Sequence, residues 1–371
     1  MEIGISVVGP SGSGKTSLLT SIFEHTRKIV DSNSSKKISI YPADDDTKEN
    51  VAQAAATFNR CINNNDSLEF VAAEGTKGVQ KYTYSFKFGS SEDLDINITD
   101  YPGGWLANSG FENVKEQILT SSAVLVPIPS DLLLHLMSLD PNRNPDEWER
   151  CYIQLGIDNV LSVLNRWINT IVEKGAQGYL VFVPIRCEHC FTDNINRTCS
   201  EKFDIFDAVK EHYISRIEFN DQARKSINVA IHAVDTYGIT KLRIVDYEVI
   251  ENQATGEISK KLKSTFNVTV PPSNKRVPTP KGSFELLSNI IKQTLEVMQN
   301  SQTQILKENR KIHESRRWYK KFWEKIFGSK TQKNIDDVTA NLDALKSAYM
   351  ELEEISNHSS TREKRILEND L

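Results

Sequence analysis

The sequence predicts an α/β fold: a mostly parallel sheet with one antiparallel edge strand, continued by a helical, coiled-coil-like extension at the C-terminal end. Three features carry that expectation. The chain starts with an apolar, β-branched run, Ile3, Ile5, Val7 and Val8, which passes through a glycine-rich loop into a helical apolar pattern. Further buried-strand runs at Ala123–Ile128, Tyr179–Ile185 and Ile227–Val234 are separated by stretches of helical character. From Phe284 onward apolar residues recur every seven positions, as they do in a long helix that packs on another.

The loop after the first strand reads Gly9-Pro10-Ser11-Gly12-Ser13-Gly14-Lys15-Thr16-Ser17. This fits G-x-x-x-x-G-K-[ST], and the strand before it and the helix after it (Leu18, Leu19, Ile22, Phe23) are the context that makes the pattern a phosphate site. Glycines at positions 12 and 14 let successive N–H groups point inward. The helix start adds unpaired N–H groups and a positive dipole end. Lys15 is placed to reach β- and γ-phosphates, and the Thr16 hydroxyl to ligate Mg²⁺.

Taken in order, Asp31–Glu49 is polar and reads as a loop, followed by a helix near Asn50–Asn63. After Gly75-Thr76, Tyr82, Tyr84, Phe86 and Phe88 alternate with polar residues as a half-exposed strand, and Leu94–Thr99 completes a hairpin. That strand ends at Asp100-Tyr101-Pro102-Gly103. A carboxylate there is placed to hold Mg²⁺ through a water, and Gly103 to offer its N–H to a γ-phosphate.

Gly9–Thr16 together with Ile98-Thr99-Asp100-Tyr101-Pro102-Gly103 resembles the translation-factor/Ras-type branch of P-loop GTPases. The wording Asp-Tyr-Pro-Gly-x-Trp-Leu is similar to bacterial YcjX-like GTPases and to double-GTPase proteins of bacterial conflict systems. The specific match spans roughly the first 110 residues. The resemblance implies a Ras-like fold binding GTP and GDP, with Thr76 as the switch threonine ligating Mg²⁺ alongside Thr16 and Asp100. Lys15, Thr76, Asp100 and Gly103 would then serve phosphoryl transfer. Gly104 and Trp105 stand where a water-orienting glutamine would follow, so slow hydrolysis is expected.

A helix from about Asp146 to Lys174, interrupted near Gly156, closes at Gly175–Gly178. The following strand runs into Arg186-Cys187-Glu188, where the family carries its guanine-reading loop. Arg186 and Glu188 keep the spacing and charge types of that loop. Ala233 and Val234 stand where backbone N–H groups would face the guanine oxygen. Cys187, His189, Cys190 and Cys199 lie close together but lack the second ligand pair of a structural zinc site. Residues 202–217 read as a helix, about 240–282 as an inserted hairpin plus a proline-rich linker, and His135 and His232 as structural.

The nucleotide domain is thus expected over residues 1–300 and the extension over 301–371. The sevenfold series Phe284 to Ile326 asks for a helix of about 45 residues, nearly 70 Å long. A second seam runs from Ile335 to Ile355 beyond Gly328. Thr303–Lys333 carries net charge +7 and Asn334–Leu371 net −5, which predicts an antiparallel helical hairpin. Residues 283–371 are therefore expected to meet a protein partner or a second protomer. A rival reading takes the aromatic-basic stretch 316–327 as a peripheral membrane contact.

The chain has 371 residues, 26% of them charged, with net charge −5, and nothing in that balance asks for nucleic acid as a partner. Five cysteines without a framework suit a reducing cytosol. The first strand occupies the place of a leader, and no run of about twenty apolar residues is present to span a bilayer. The expectation is a cytoplasmic GTP-dependent switch, in the manner of a bacterial defence protein. An ATP-dependent P-loop enzyme, or a scaffold that holds nucleotide without hydrolysing it, are the other readings.

Overall fold

Ile3, Ile5 and Val7 are almost fully buried on one face of the first strand (β1, Glu2–Val7), because that strand lies at the centre of a sheet covered on both sides. The computed structural model describes residues 2–32, 38–63, 78–88, 94–107, 109–187, 204–251, 258–270, 274, 276–297, 350 and 363–366. In chain order β1 is followed by α1 (Lys15–Ser32), β2 (Ile38–Pro42), α2 (Asp45–Ile62), β3 (Gln80–Phe88) and β4 (Leu94–Asp100). Next come α3 (Lys115–Thr120), β5 (Ala123–Pro129), α4 (Ser130–Ser138), α5 (Pro145–Leu155), α6 (Ile157–Glu173) and β6 (Gly178–Ile185). The remaining elements are α7 (Ile205–His212), α8 (Asp221–Ser226), β7 (Ile227–His232), β8 (Thr240–Glu251), β9 (Ile258–Val268), α9 (283–297) and β10 (Glu363–Ile366).

The sheet runs β7-β6-β5-β1-β4-β3-β2, and β10 pairs antiparallel along β7. β1 is parallel to β4 and β5, as β6 is to β5 and β7, while β3 runs antiparallel to β4 and β2. Along each strand side chains alternate between faces. Val124, Val126, Leu180 and Phe182 join the core under α3 to α8. Leu125, Val181 and Val183 join the core under α1 and α9.

β5 ends in Pro127 and Pro129 although it is a central strand. Leu125 accepts from Val8 N at 2.8 Å, so by the two-residue period Pro127 and Pro129 also turn toward the β1 side. There β1 has already left the sheet for the glycine loop, and no ladder hydrogen bond is lost.

Several boundaries differ from the sequence reading. The antiparallel strand β3 is not the edge, because β2 covers it; the supposed polar loop 31–49 hides the alternation Ile38-Ser39-Ile40, with Ile40 packed on the core. Helix α2 starts at Asp45, near the end of that loop, because Asp44 caps it, its carboxylate accepting from Thr47 N at 2.6 Å. The interruption at Gly156 is present, with φ +59° between α5 and α6. The stretch 202–217 holds α7 and then a 3₁₀ turn, Ile214–Arg216.

The first members of the sevenfold series, Phe284 and Ile291, are buried beneath the sheet with Leu287, Ile290 and Leu295. That part of the stripe is core. Glu363–Ile366 is a strand on β7, where a helical hairpin was expected to continue. Apart from Met350, the rest of the extension, including the 316–327 stretch and the Ile335–Ile355 seam, lies outside the described residues. Among the described residues no helix is long and apolar enough to cross a membrane.

Trp167 on α6 is fully buried, and its Nε1 donates to Ser121 O at 3.0 Å. Trp167→Ala should lower the unfolding free energy by about 3–5 kcal/mol through lost burial and a cavity. Denaturant titration checks this; a loss below about 1 kcal/mol would mean that α6 does not anchor the sheet as described.

Candidate functional site

The loop after β1 is a tight turn, with Ser13 N donating to Pro10 O at 3.3 Å and both Gly12 (φ +77°) and Gly14 (φ +81°) in the left-handed region. A side chain at position 14 would also strike Ile185 Cδ1 at the end of β6. Helix α1 begins at Lys15, whose side chain folds back over the loop. Its ammonium donates to Gly9 O at 3.0 Å and Pro10 O at 3.1 Å and lies 5.8 Å from the centre of the Tyr101 ring. Burial pulls the Lys15 amine down from 10.5 to about 8, against the opposing pull of the Asp100 carboxylate. The ammonium is thus enclosed by main chain at the start of α1, with two carbonyl oxygens as its acceptors.

Asp100 ends β4, the parallel neighbour of β1, so its buried carboxylate arrives beside the start of α1. Thr16 Oγ1 donates to Asp100 Oδ2 at 2.7 Å. Two hard oxygen donors at that separation fit the chemistry of Mg²⁺. Beyond them Gly103 packs its backbone on the loop; a Cβ there would collide with Ser11 N and the Pro10 carbonyl. Gly104 faces open space and Trp105 packs partly on the core.

On the far side stands Arg186, whose backbone is left-handed at φ +56°, alone in this among non-glycine described residues. Its guanidinium reaches the buried Asp131 carboxylate at 3.3 Å and the Gly12 carbonyl at 3.2 Å, and covers the Phe266 ring at 5.5 Å. The arginine is thus a cross-brace between α4, the glycine loop and β9. Gln154 on α5 docks that same strand, its amide donating to Leu262 O at 2.7 Å and accepting from Leu262 N at 3.0 Å.

The structure therefore gathers Gly9, Ser11, Gly12, Ser13, Gly14, Lys15, Thr16, Asp100, Gly103 and Arg186 at the carboxyl ends of the central strands. Ser17 lies one residue further on, against the Tyr237 hydroxyl. Ala233 and Val234 are buried at the end of β7, and Val234 N donates to Pro184 O at 2.8 Å, so that N–H is spent inside the sheet. Thr76 and Glu188 lie outside the described residues, as do His189, Cys190 and Cys199. The Cys187 thiol is buried and donates to Pro184 O at 3.1 Å. His232 is buried too, its basicity pushed down to about 4 by burial, with Nε2 and Gly282 O 2.9 Å apart.

Asp131, Gln154 and Phe266 were not singled out from the sequence. No motif marks them, and their relevance comes only from packing on Arg186 and β9. No protein-family model matches the chain, and no match is found among curated proteins.

The folded state holds the Lys15 proton less tightly than the unfolded chain does, about 8 against 10.5. Protonation of this amine therefore opposes folding below about pH 8, and the opposition fades as the pH rises toward about 10.5. Relative to Lys15→Met, the parent should gain up to about 1.4 kcal/mol of unfolding free energy per pH unit across that window. Urea titrations of both proteins from about pH 7.5 to about pH 9.5 check it; a flat difference would place the amine in water.

Proposed function

We propose that this protein is a nucleotide-controlled switch: a slow GTPase of the P-loop class that binds GTP and GDP with Mg²⁺. One observation carries the reading. A buried lysine ammonium, a threonine hydroxyl and a buried aspartate converge on a glycine loop at the carboxyl edge of a parallel sheet.

In that reading the loop N–H groups and Lys15 hold the phosphates. Thr16, and Asp100 through a water, would hold Mg²⁺, which when bound neutralises charge on the β- and γ-oxygens. Thr76 would complete that set and Gly103 would present its N–H to the terminal phosphate. Arg186 braces the loop from the side where the base would lie, with Glu188 as the guanine acceptor. The spent Val234 N–H favours testing adenine alongside guanine, since one of the two backbone donors assigned to the guanine oxygen is taken.

Phosphoryl transfer depends on positioning and charge compensation. Position 104 offers no side chain, and Trp105 is packed on the core, so turnover without a partner should be slow. Residues 283–371 are the proposed route to that partner or to a second protomer, starting from α9, which is locked into the domain. The domain boundary near residue 300 and a place in bacterial defence belong to the same proposal.

Lys15→Ala should weaken Mg²⁺–GTP binding at least about a hundredfold in a folded protein; unchanged affinity would remove the phosphate site. GTP should bind more tightly than ATP by about 1–3 kcal/mol. Equal affinities would leave the ATP-dependent enzyme in its place. Multiple-turnover phosphate release well below about one per second is expected; several per second without a partner would reveal an unrecognised catalytic group. Truncation after Asn300, which also removes β10, should spare nucleotide binding and abolish self-association or partner engagement; an unfolded truncated chain would make the extension part of the domain.

A further inference from the structure

The two-stranded sheet β8–β9 stands apart from the main sheet yet reaches the mouth of the glycine loop. Lys261 on β9 is exposed, and its Nζ lies 4.0 Å from where a Cβ on Gly12 would be. The lysine thus hangs over the turn of the loop, with no side chain on Gly12 to separate them.

Its neighbours make this placement informative. Glu248 is directly across the hairpin from Lys261, and a lysine facing a carboxylate at that spacing normally pairs with it. Glu248 instead pairs with Lys263 at 2.9 Å, and the Lys261 side chain makes no ion pair or hydrogen bond among the described residues. The strand beneath it is fixed. Leu262 is buried and clasped by the Gln154 amide, and Phe266 lies under the guanidinium that grips Gly12 O. An ammonium with no side-chain partner among the described residues is therefore held by a braced strand over the glycine loop, near Lys15 at the start of α1 and Arg186 after β6. Lys15 has the Asp100 carboxylate beside it and Arg186 pairs with Asp131, so of the three cations at this turn Lys261 is the one without a carboxylate partner among the described residues.

We propose that Lys261 is a phosphate-contacting residue, supplied in cis by the β8–β9 hairpin, which clamps the phosphate tail of a nucleoside di- or triphosphate. The proposal rests on the nucleotide-site reading above and adds to it a cation that no loop motif contains. No bond forms or breaks in the contact; the ammonium donates to non-bridging phosphate oxygens.

Calorimetric titration with Mg²⁺–GTP and Mg²⁺–ATP tests it on the full chain, using the parent, Lys261→Gln, Lys261→Arg and the neighbouring surface control Lys260→Gln. For whichever nucleotide the parent binds more tightly, Lys261→Gln should weaken affinity about tenfold. Lys261→Arg should return to within about threefold, and Lys260→Gln should match the parent. The Lys261→Gln deficit should shrink as salt is raised. Because Lys261 is exposed, circular dichroism of the variants should equal the parent's. Parent-like binding by Lys261→Gln overturns the clamp and leaves the nucleotide site standing. An equal loss in Lys260→Gln overturns it in favour of a diffuse basic surface. A parent that binds neither nucleotide overturns both readings.

Discussion

Lys15 keeps its ammonium inside the protein, on the Gly9 and Pro10 carbonyl oxygens, and a buried cation constrains everything around it. Desolvation works against the charged form strongly enough to bring the amine down from 10.5 to about 8. The structure offsets this with main-chain acceptors, the face of Tyr101 and the Asp100 carboxylate. Each lies in the loop itself or at the end of β4. The parallel register that sets Ser6 beside Thr99 is therefore an electrostatic requirement as well as a hydrogen-bonding one.

The same loop is held from several directions. Gly103 abuts Pro10 and Ser11, Ile185 fills the space beside Gly14, and Arg186 grips the Gly12 carbonyl. Pro10 in turn sits against Gly156, the hinge between α5 and α6. These contacts come from three separate parts of the chain, around Gly103, Gly156 and Ile185–Arg186, so the shape of the loop is set by the tertiary fold as well as by its own residues. The left-handed backbone at Arg186 belongs to this arrangement. A strained residue persists only where its surroundings over-determine it, and Asp131, Gly12 and Phe266 do so.

Much of the cradle was legible because its chemistry is local. A glycine loop between a strand and a helix can be read from consecutive residues, and Asp100 follows from a strand that ends in a turn. The partners of Arg186 were not legible. Asp131 and Phe266 lie 55 residues before it and 80 after it, and only the fold makes them neighbours. Strand β2 was missed for another reason: its apolar residues are few and its surroundings polar, so composition outweighed a short alternation. The stripe from Phe284 shows the opposite error. A perfect seven-residue repeat suggested a seam between helices, yet its first members face the sheet, since over a few turns the periods of a buried helix and a coiled coil, about 3.6 and about 3.5 residues, cannot be told apart.

That helix ties the two ends of the described domain together. Helix α1 carries Lys15 and Thr16 at its start and Ser21, Ile22 and Phe23 two turns on. Ser21 Oγ lies 3.1 Å from Ser283 Oγ, the first residue of α9, and both helices share one apolar core with Leu287 and Ile291. Close-packed helices move as bodies, because sliding one past the other would open voids or force clashes. The start of α1, with Lys15 and Thr16, and the start of α9 are thus parts of one packed unit. Helix α9 is therefore fixed by its packing to the helix that carries Lys15 and Thr16, and not merely tethered to it through the chain.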